Sequence, residues 1–219
     1  MKWKMKYYAV KCGRIPGIYE NWQECQKQIT KFPDAEFKSF SNINEAKEYL
    51  EKKASQDIWK EPDILLFSDG GSRNHGNYKG GHVKEDDKAA GAFLIHRGTH
   101  NVRGTGGEFG ATNNRMELMA LRNSLMIIGR RKWNNEKINA ILDSKYVLDA
   151  IRNGWLESWY KNGWKKSNGK EVINVDLWKD IYNLLKYFPN LKFQWTKGHA
   201  DNKGNNIVDK LLNETMDKM

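Results

Sequence analysis

The 219-residue sequence predicts an α/β fold, in which a five-stranded mixed sheet flanked by helices follows a small ββαβα domain. Two observations support the larger part. Short apolar runs bounded by glycine or polar residues are typical of buried strands, and they recur from Pro62 onward. A run of strands comes first and later strands alternate with helices, which favours a mixed sheet covered on both faces. The first fifty residues carry a separate strand and helix pattern.

The larger part contains nine predicted elements. Strands are predicted at 64–68, 89–96, 100–107, 138–142 and 191–196. Helices are predicted at 113–128, 144–153, 174–187 and 204–216.

The small N-terminal part has the element order ββαβα. Predicted strands lie at 7–10, 18–19 and 37–40, and predicted helices lie at 21–29 and 41–50. Segment 13–17 predicts the first turn because it contains two glycines and a proline, which are typical turn residues. We therefore predict one domain at 1–51, a short polar linker at 52–61 and a second domain at 62–219.

Composition points to a polyanionic partner. The chain has 37 Lys+Arg against 27 Asp+Glu, a formal net charge of +10. Nine tryptophans supply material for a packed core. Cys12 and Cys25 show neither metal-ligand spacing nor a disulfide framework. The first residues lack a long apolar stretch, so we expect no signal peptide, no membrane span and a cytoplasmic monomer.

Four acidic residues are candidate metal ligands. Asp69 and Asp143 each follow an apolar run that predicts a buried strand, where an unpaired charge costs several kcal/mol. Carboxylates are preferred Mg²⁺ ligands, and two such ions about 4 Å apart are a common device for phosphodiester hydrolysis. Glu117 and Asp209 lie in predicted helices. Taken alone, they are more simply interpreted as a helix-dipole acid and a solvated acid.

The contexts of these acids carry a family resemblance. The five blocks, in chain order, are Ser68-Asp69-Gly70-Gly71-Ser72, Thr112-Asn113-Asn114-Arg115-Met116-Glu117-Leu118, Leu142-Asp143-Ser144-Lys145-Tyr146-Val147, Lys197-Gly198-His199-Ala200-Asp201 and Asn205-Asn206-Ile207-Val208-Asp209. From about Pro62 to the end, the chain resembles type 1 ribonuclease H. Five blocks in order are far more specific than any single motif.

The resemblance implies an endonuclease that hydrolyses the RNA strand of RNA–DNA hybrids, leaving 5′-phosphate and 3′-hydroxyl ends. It implies that Asp69, Glu117, Asp143 and Asp209 hold two Mg²⁺ ions, with Mn²⁺ as an alternative metal. His199 matches a mobile histidine that assists proton transfer or product release, which makes it an auxiliary catalytic residue.

Substrate contacts follow from the same resemblance. Thr112 and Asn174 match residues that grip a DNA phosphate, although Gly110 replaces an arginine found in some relatives. Asn113 and Asn114 suit the reading of the ribose 2′-hydroxyl, because an amide both donates and accepts hydrogen bonds.

A Trp- and Lys-rich segment from Arg152 to Lys170 resembles the basic protrusion that holds the DNA strand. Trp155 and Trp159 are its predicted contacts, with Trp155 shifted by one residue relative to close relatives. The simpler interpretation, tryptophan packing between helices, is expected for at least one tryptophan of the segment.

The N-terminal part resembles the hybrid-binding domain of type 1 ribonucleases H. The matching residues are Tyr7-Tyr8-Ala9-Val10, Gly13-Arg14, Gly17, Trp22, Cys25, Phe32-Pro33, Phe37-Lys38 and Phe40. The resemblance implies that Tyr8, Trp22 and Phe37 contact the nucleic-acid backbone and that Lys38 contacts phosphate. Ser39 occupies a position that is often basic. Without the resemblance, Trp22 and Phe37 would more simply be core residues.

Two other functions are compatible with this fold. A catalytically idle hybrid-binding protein would more typically have lost one of the four acids. An integrase-like strand-transfer enzyme would lack the paired asparagines and the basic protrusion. The long segment 73–88 carries no assigned function.

Overall fold

A computed structural model describes residues 6–30, 32, 35–51, 58–73, 83–196 and 203–219. The chain divides into two compact units, Met1–Ser55 and Gln56–Met219. Within the described ranges, every helix is too short or too polar to cross a membrane.

The N-terminal unit is a three-stranded antiparallel sheet with two helices. Its elements are β1 (Tyr7–Cys12), β2 (Gly17–Tyr19), α1 (Trp22–Ile29), β3 (Glu36–Phe40) and α2 (Ile43–Glu51). The strand order is β2-β1-β3. Asn21 caps α1, because its side chain accepts a hydrogen bond from the Glu24 backbone N–H at 2.9 Å. Ala9, Val10, Cys25 and Ala46 form the buried centre. The predicted order ββαβα is confirmed.

The C-terminal unit is a five-stranded mixed sheet between helices, which confirms the predicted fold class. Its elements are β4 (Ile64–Ser72), β5 (Lys88–Arg97), β6 (His100–Phe109), α3 (Asn113–Arg130), β7 (Ile138–Leu142), α4 (Lys145–Arg152), α5 (Trp155–Lys161), α6 (Val175–Leu185), β8 (Leu191–Trp195) and α7 (Lys203–Lys218). The strand order is β6-β5-β4-β7-β8. Strands β4, β7 and β8 are parallel, whereas β4, β5 and β6 are antiparallel.

Alternation along the strands divides the core between the two faces of the sheet. On one face, Ile64 and Leu66 of β4 pack with Leu121 and Leu125 of α3. On the other, Phe67 packs with α7 residues such as Leu212. Residues i and i+2 share a face in a strand, so β4 serves two helices. These are the helices that carry Glu117 and Asp209.

The sequence analysis made two main errors in the C-terminal unit. Strand β4 does not end at residue 68. Its parallel pairing with β7 ends at Ser68, but its antiparallel pairing with β5 continues to Ser72. Asp69 therefore lies within a strand. The other error is α5, which the sequence analysis did not predict. Its neighbour Gly154 has a φ of +71°, which permits a sharp change of direction between α4 and α5.

A pair of glycines allows α3 to lie very close to the sheet. Gly70 of β4 is paired with Gly91 of β5. A Cβ on Gly70 would lie 2.2 Å from the backbone nitrogen of Glu117, and one on Gly91 would lie 2.5 Å from the Met116 carbonyl oxygen. Any side chain at either position would force the first turns of α3 away from β4.

Trp59 attaches the start of the C-terminal unit to β7. Its backbone N–H donates to Asn139 Oδ1 at 2.9 Å, and Asn139 Nδ2 donates back to the Trp59 carbonyl at 2.8 Å. The Trp59 indole N–H donates to the Asn190 carbonyl at 2.7 Å. Residues 58–61, which the sequence analysis placed in the linker, are thus fastened here, and 52–57 lie outside the described residues.

Candidate active site

Asp69 and Asp143 lie at the same end of the central sheet. Ser68 and Leu142 are partners in the parallel ladder between β4 and β7, and each acid is the next residue along the chain. Asp69 Oδ1 accepts a hydrogen bond from the Gly70 backbone N–H at 2.7 Å. Adjacent parallel strands therefore place the two carboxylates at the same end of the sheet.

Glu117 reaches the same end from α3, directly above Gly70. The pKa of Glu117 is raised to about 7, chiefly by burial and also by the negative charges of Asp143 and Asp69. A hydrogen bond from the Ser144 hydroxyl to Glu117 Oε2 acts in the opposite direction. The structure thus brings three predicted acids together, with Glu117 half-buried among like charges.

Asp209 lies on α7, which packs against β4 and β5 on the opposite face from α3. The start of α7 lies close to the sheet because Gly204 faces the Phe67 ring, where a Cβ would be 2.5 Å from a ring carbon. Asn213 Nδ2 donates to the Asp209 carbonyl at 2.9 Å and to its Oδ1 at 3.2 Å. Asp209 is therefore held by the next turn of its own helix.

The donor chemistry of these acids suits a hard divalent cation, because carboxylate oxygens are the ligands that Mg²⁺ prefers. The like charges around Glu117 would also be relieved by a cation. Among the residues that the structure describes, no three His, Cys, Asp or Glu side chains are already arranged to hold a metal ion. The ligand assignment consequently stays a proposal. His199 lies within 197–202, outside the described residues.

The first residues of α3 form an exposed polar surface beside the acids. Thr112 caps the helix through its hydroxyl, which accepts from the Arg115 N–H at 3.3 Å. Asn113 Oδ1 accepts from the Ser72 hydroxyl at 2.6 Å, and the Asn114 side chain is exposed. Thr112, Asn113 and Asn114 thus share one helix with Glu117, as predicted.

Asn174 lies at the start of α6 with a left-handed φ of +59°. Its side-chain nitrogen is buried, and the described residues offer it no hydrogen-bond partner. Arg115 links α6 to α3, because its guanidinium donates to Asp176 at 3.0 Å and to Glu108 at 2.7 Å. This ion pair keeps the helix starts that carry Thr112 and Asn174 next to each other. Gly110 has a left-handed φ of +68°, which an arginine would rarely adopt.

The two predicted tryptophan contacts differ in their surroundings. Trp155 is 46% exposed. Trp159 is half-buried against the core, with its ring centroid 5.5 Å from that of the fully buried Trp178. Trp164 also packs against the core. Trp159 and Trp164 therefore pack between helices, as the simpler interpretation expected for at least one tryptophan. Trp155 is the better candidate for a nucleic-acid contact.

The aromatic residues predicted for hybrid binding form one cluster on the N-terminal unit. The Trp22 ring centroid lies 5.5 Å from that of Tyr8 and 5.7 Å from that of Phe37. Trp22 and Phe37 are each 41% exposed, so neither is a core residue. Lys38 projects from the adjacent position of β3, with Nζ 5.7 Å from the Phe40 ring centroid.

Three residues make side-chain contacts in or beside the site that were not predicted. Ser144 bonds Glu117, Ser72 bonds Asn113, and Arg115 joins α3 to α6. All three occur inside the sequence blocks that carried the resemblance, but their roles depend on contacts between elements distant in sequence. For Ser144 a local signal exists, since a serine directly before a helix is a typical N-cap. Its hydroxyl oxygen accepts from the Val147 N–H at 3.3 Å.

Comparison with known proteins agrees with this geometry. Residues 61–217 match the family described as RNase H. The chain belongs to the ribonuclease H family. It is therefore a ribonuclease H, an endonuclease that acts on RNA–DNA hybrids, and enzymes of this family generally depend on divalent metal ions. Residues 6–50 match the Ribonuclease H1 N-terminal domain. The predicted family, type 1 with a hybrid-binding domain, is confirmed.

Individual relatives support the same conclusion. A ribonuclease H of Thermoanaerobacter sp. (strain X514) is 42% identical over 125 residues, covering 56% of this chain and 76% of the relative. A ribonuclease H of Ruthia magnifica is 35% identical over 156 residues, covering 71% of this chain and 97% of the relative. The fold is similar to that of LC9-RNase H1, a type 1 RNase H with the type 2 active-site motif. That match has a TM-score of 0.57 and 20% identity, and it covers 74% of this chain and 75% of the other.

Proposed function

We propose that Asp69, Glu117, Asp143 and Asp209 hold two Mg²⁺ ions for cleavage of the RNA strand. The observation that carries the proposal is the convergence of Asp69 and Asp143 on a half-buried Glu117 whose pKa is raised to about 7. Bound divalent ions would activate the attacking water and stabilise the charge on the leaving 3′ oxygen. The products would carry 5′-phosphate and 3′-hydroxyl ends. Mn²⁺ offers the same hard-ligand preference and is the expected substitute.

The chain's own side chains prepare this site. With its pKa raised to about 7, Glu117 would be partly protonated near neutral pH in the absence of a cation, so cation binding would be linked to the release of this proton. Ser144 holds one Glu117 oxygen and caps α4 with the same hydroxyl. This double contact fixes the Glu117 carboxylate relative to the strand end that carries Asp143.

Recognition of the substrate strands is assigned to α3 and α6. Asn113 and Asn114 lie on the exposed first turn of α3, where side-chain amides can reach a ribose 2′-hydroxyl, the group that distinguishes RNA from DNA. Thr112 and Asn174 would hold a phosphate of the DNA strand. The buried Asn174 side-chain nitrogen, for which the described residues supply no acceptor, supports this assignment, because a phosphate oxygen would be such an acceptor.

The exposed aromatic residues complete the proposed interface. Trp155 would contact the DNA strand on the basic segment, with Trp159 supporting it from the core. On the N-terminal unit, Tyr8, Trp22 and Phe37 would stack on sugars or bases, and Lys38 would neutralise a phosphate. We also propose that the enzyme acts as a monomer in the cytoplasm.

The proposed function is tested by presenting labelled RNA–DNA hybrid, duplex DNA and duplex RNA to the protein with Mg²⁺. Cleavage of hybrid RNA alone, with 5′-phosphate ends, is expected. Binding without cleavage would instead indicate an idle hybrid-binding protein, and joining of DNA strands would indicate a strand-transfer enzyme. Asp180→Asn is a matched control for the acids, because Asp180 is an exposed partner of Arg122.

His199 is proposed to assist proton transfer or product release. His199→Ala should lower steady-state turnover by no more than about 10²-fold, the low end for general acid–base assistance, without weakening hybrid binding. Single-turnover rates distinguish the two roles, since a release role leaves the chemical step unchanged. A variant as inactive as Asp69→Asn would show that His199 is indispensable and would contradict the auxiliary role.

A further inference from the structure

Ser72 and Asn113 join the two elements that carry Asp69 and Glu117. Ser72 is the last residue of β4, three residues after Asp69, and Asn113 is the first residue of α3, four residues before Glu117. The Ser72 hydroxyl donates to Asn113 Oδ1 at 2.6 Å. The Asn113 side chain is not needed as a helix cap, because Thr112 supplies that hydrogen bond.

This contact determines which end of the Asn113 amide is presented to a ligand. A primary amide has an acceptor oxygen at one end and a donor NH₂ group at the other. Ser72 engages the oxygen, so the NH₂ group is directed away from β4. Asn113 is exposed, and its donor end can therefore meet a substrate. Without the Ser72 hydroxyl, rotation of the amide would present either end.

We infer that Ser72 is a positioning residue for RNA selectivity, which orients Asn113 so that its NH₂ group donates to the ribose 2′-hydroxyl oxygen. The inference rests on the proposed function of Asn113 as a 2′-hydroxyl reader. Ser72 itself does not touch the sugar in this arrangement. It lowers the cost of binding by holding the amide in the orientation that the substrate requires. A single hydrogen bond of this kind corresponds to a factor of about 2 to 10 in rate or affinity.

The test compares site-resolved cleavage of two hybrids that differ at one sugar. One RNA strand is all ribose, and the other has a single central 2′-deoxynucleotide. Discrimination is the ratio of kcat/KM at the affected phosphate for the two strands. Ser72→Ala should lower this ratio about 2- to 10-fold. Thr99→Ala is the control, because Thr99 is exposed in the turn between β5 and β6, at the other end of the sheet.

A second pair of variants separates the hydroxyl from side-chain size. Ser72→Thr keeps a hydroxyl and should retain discrimination, whereas Ser72→Val has nearly the same shape and should lose it. Ser72→Val also remains informative if Ser72→Ala fails to fold. The double variant Ser72→Ala/Asn113→Ala should discriminate no worse than Asn113→Ala alone, because Ser72 acts through Asn113.

The outcomes distinguish this inference from the proposed function. Unchanged discrimination in Asn113→Ala would overturn the reader role. Reduced discrimination in Asn113→Ala with wild-type values in both Ser72→Ala and Ser72→Val would overturn the positioning role alone. So would an equal loss of rate on both hybrids, since a purely structural effect does not depend on the 2′ group. Additive losses in the double variant would contradict action through Asn113.

Discussion

The carboxylates of the C-terminal unit and the aromatic residues of the N-terminal unit lie in opposite environments. Glu117 is half-buried beside two like charges, and its pKa is raised to about 7. Trp22 and Phe37 leave 41% of their surface exposed on a small unit with few buried side chains. The first arrangement places negative charges close together, which destabilises the folded protein. The second leaves apolar surface where binding can cover it.

This difference shows that the two units bind different partners for different physical reasons. Partly buried like charges lower the free energy of unfolding of the metal-free protein. A bound cation would offset this repulsion and would therefore stabilise the folded state. Exposed aromatic rings cost folding little and can gain stacking energy from nucleic acid. Variants in the two regions should therefore differ in kind: removal of a carboxylate should stabilise the metal-free protein, and removal of an aromatic residue should mainly weaken binding.

The largest expected effect is on catalysis by Asp143→Asn. Loss of several kcal/mol of charge stabilisation corresponds to at least about 10³-fold in kcat. Hybrid affinity should stay near the wild-type value, because the proposed phosphate contacts lie elsewhere. Single-turnover cleavage and a binding titration measure the two quantities. The exposed Asp180→Asn variant should be normal in both. Near-normal turnover in Asp143→Asn would remove the basis for the metal assignment.

Glu117→Gln should raise the stability of the metal-free protein at neutral and higher pH. The carboxyl group has a pKa of about 7 in the folded chain, against an ordinary value of 4.5. Between those values the folded state binds more protons than the unfolded state, so stability falls as pH rises through this window. The penalty is of the order of 3 kcal/mol above pH 7 and is absent below about pH 4.

Denaturant unfolding of metal-free protein between pH 4 and pH 8 checks this prediction. The variant should lose the decline that the wild type shows. Glu214→Gln serves as the control, since Glu214 makes a 3.8 Å ion pair on the surface of α7. Added Mg²⁺ should stabilise the wild type more than Glu117→Gln. If the free energy of unfolding changed with pH in the same way in the wild type and in Glu117→Gln, the charge on Glu117 would not destabilise the folded protein.

The smallest of these effects is expected on the N-terminal unit. Trp22→Ala should weaken hybrid binding by about 5- to 100-fold, since stacking on an aromatic residue is worth about 1–3 kcal/mol. Fluorescence anisotropy in the inactive Asp143→Asn background measures this affinity. Ile15→Ala is the matched control, because Ile15 is 63% exposed and apolar. Loss of the folded N-terminal unit in Trp22→Ala would instead favour a core role for Trp22.

Much of the fold was predictable because its signals are local. The apolar runs before Asp69 and Asp143 predicted two buried strands, and the pattern around Glu117 predicted the helix that carries it. Both are properties of a few consecutive residues. Local signals failed at Gly70 and Gly71, because glycines after an apolar run predicted that the strand ends at residue 68. Pairing with β5 overrode that preference and extended β4 to Ser72.

The remaining features depend on contacts between distant residues. The hydrogen bond of Ser144 with Glu117 spans 27 positions, and that of Ser72 with Asn113 spans 41. The hydrophobic periodicity of a segment does not indicate which distant residue a side chain will contact. The raised pKa of Glu117 likewise depends on three elements meeting at one end of the sheet. Helix α5 escaped prediction because its Trp-rich sequence, WLESWYK, is too short to display a helical repeat.

The attachment of Trp59 has a practical consequence for dissecting the chain. Asn139 is only 3% exposed, and its amide exchanges two hydrogen bonds with the Trp59 backbone. A fragment that begins at Pro62 would leave both ends of that amide without these partners, at about 1–3 kcal/mol for each buried group left unsatisfied. A catalytic fragment that is stable on its own should therefore begin before Ile58. A shorter fragment would lose activity because it is less stable, and this loss would say nothing about which residues contact nucleic acid.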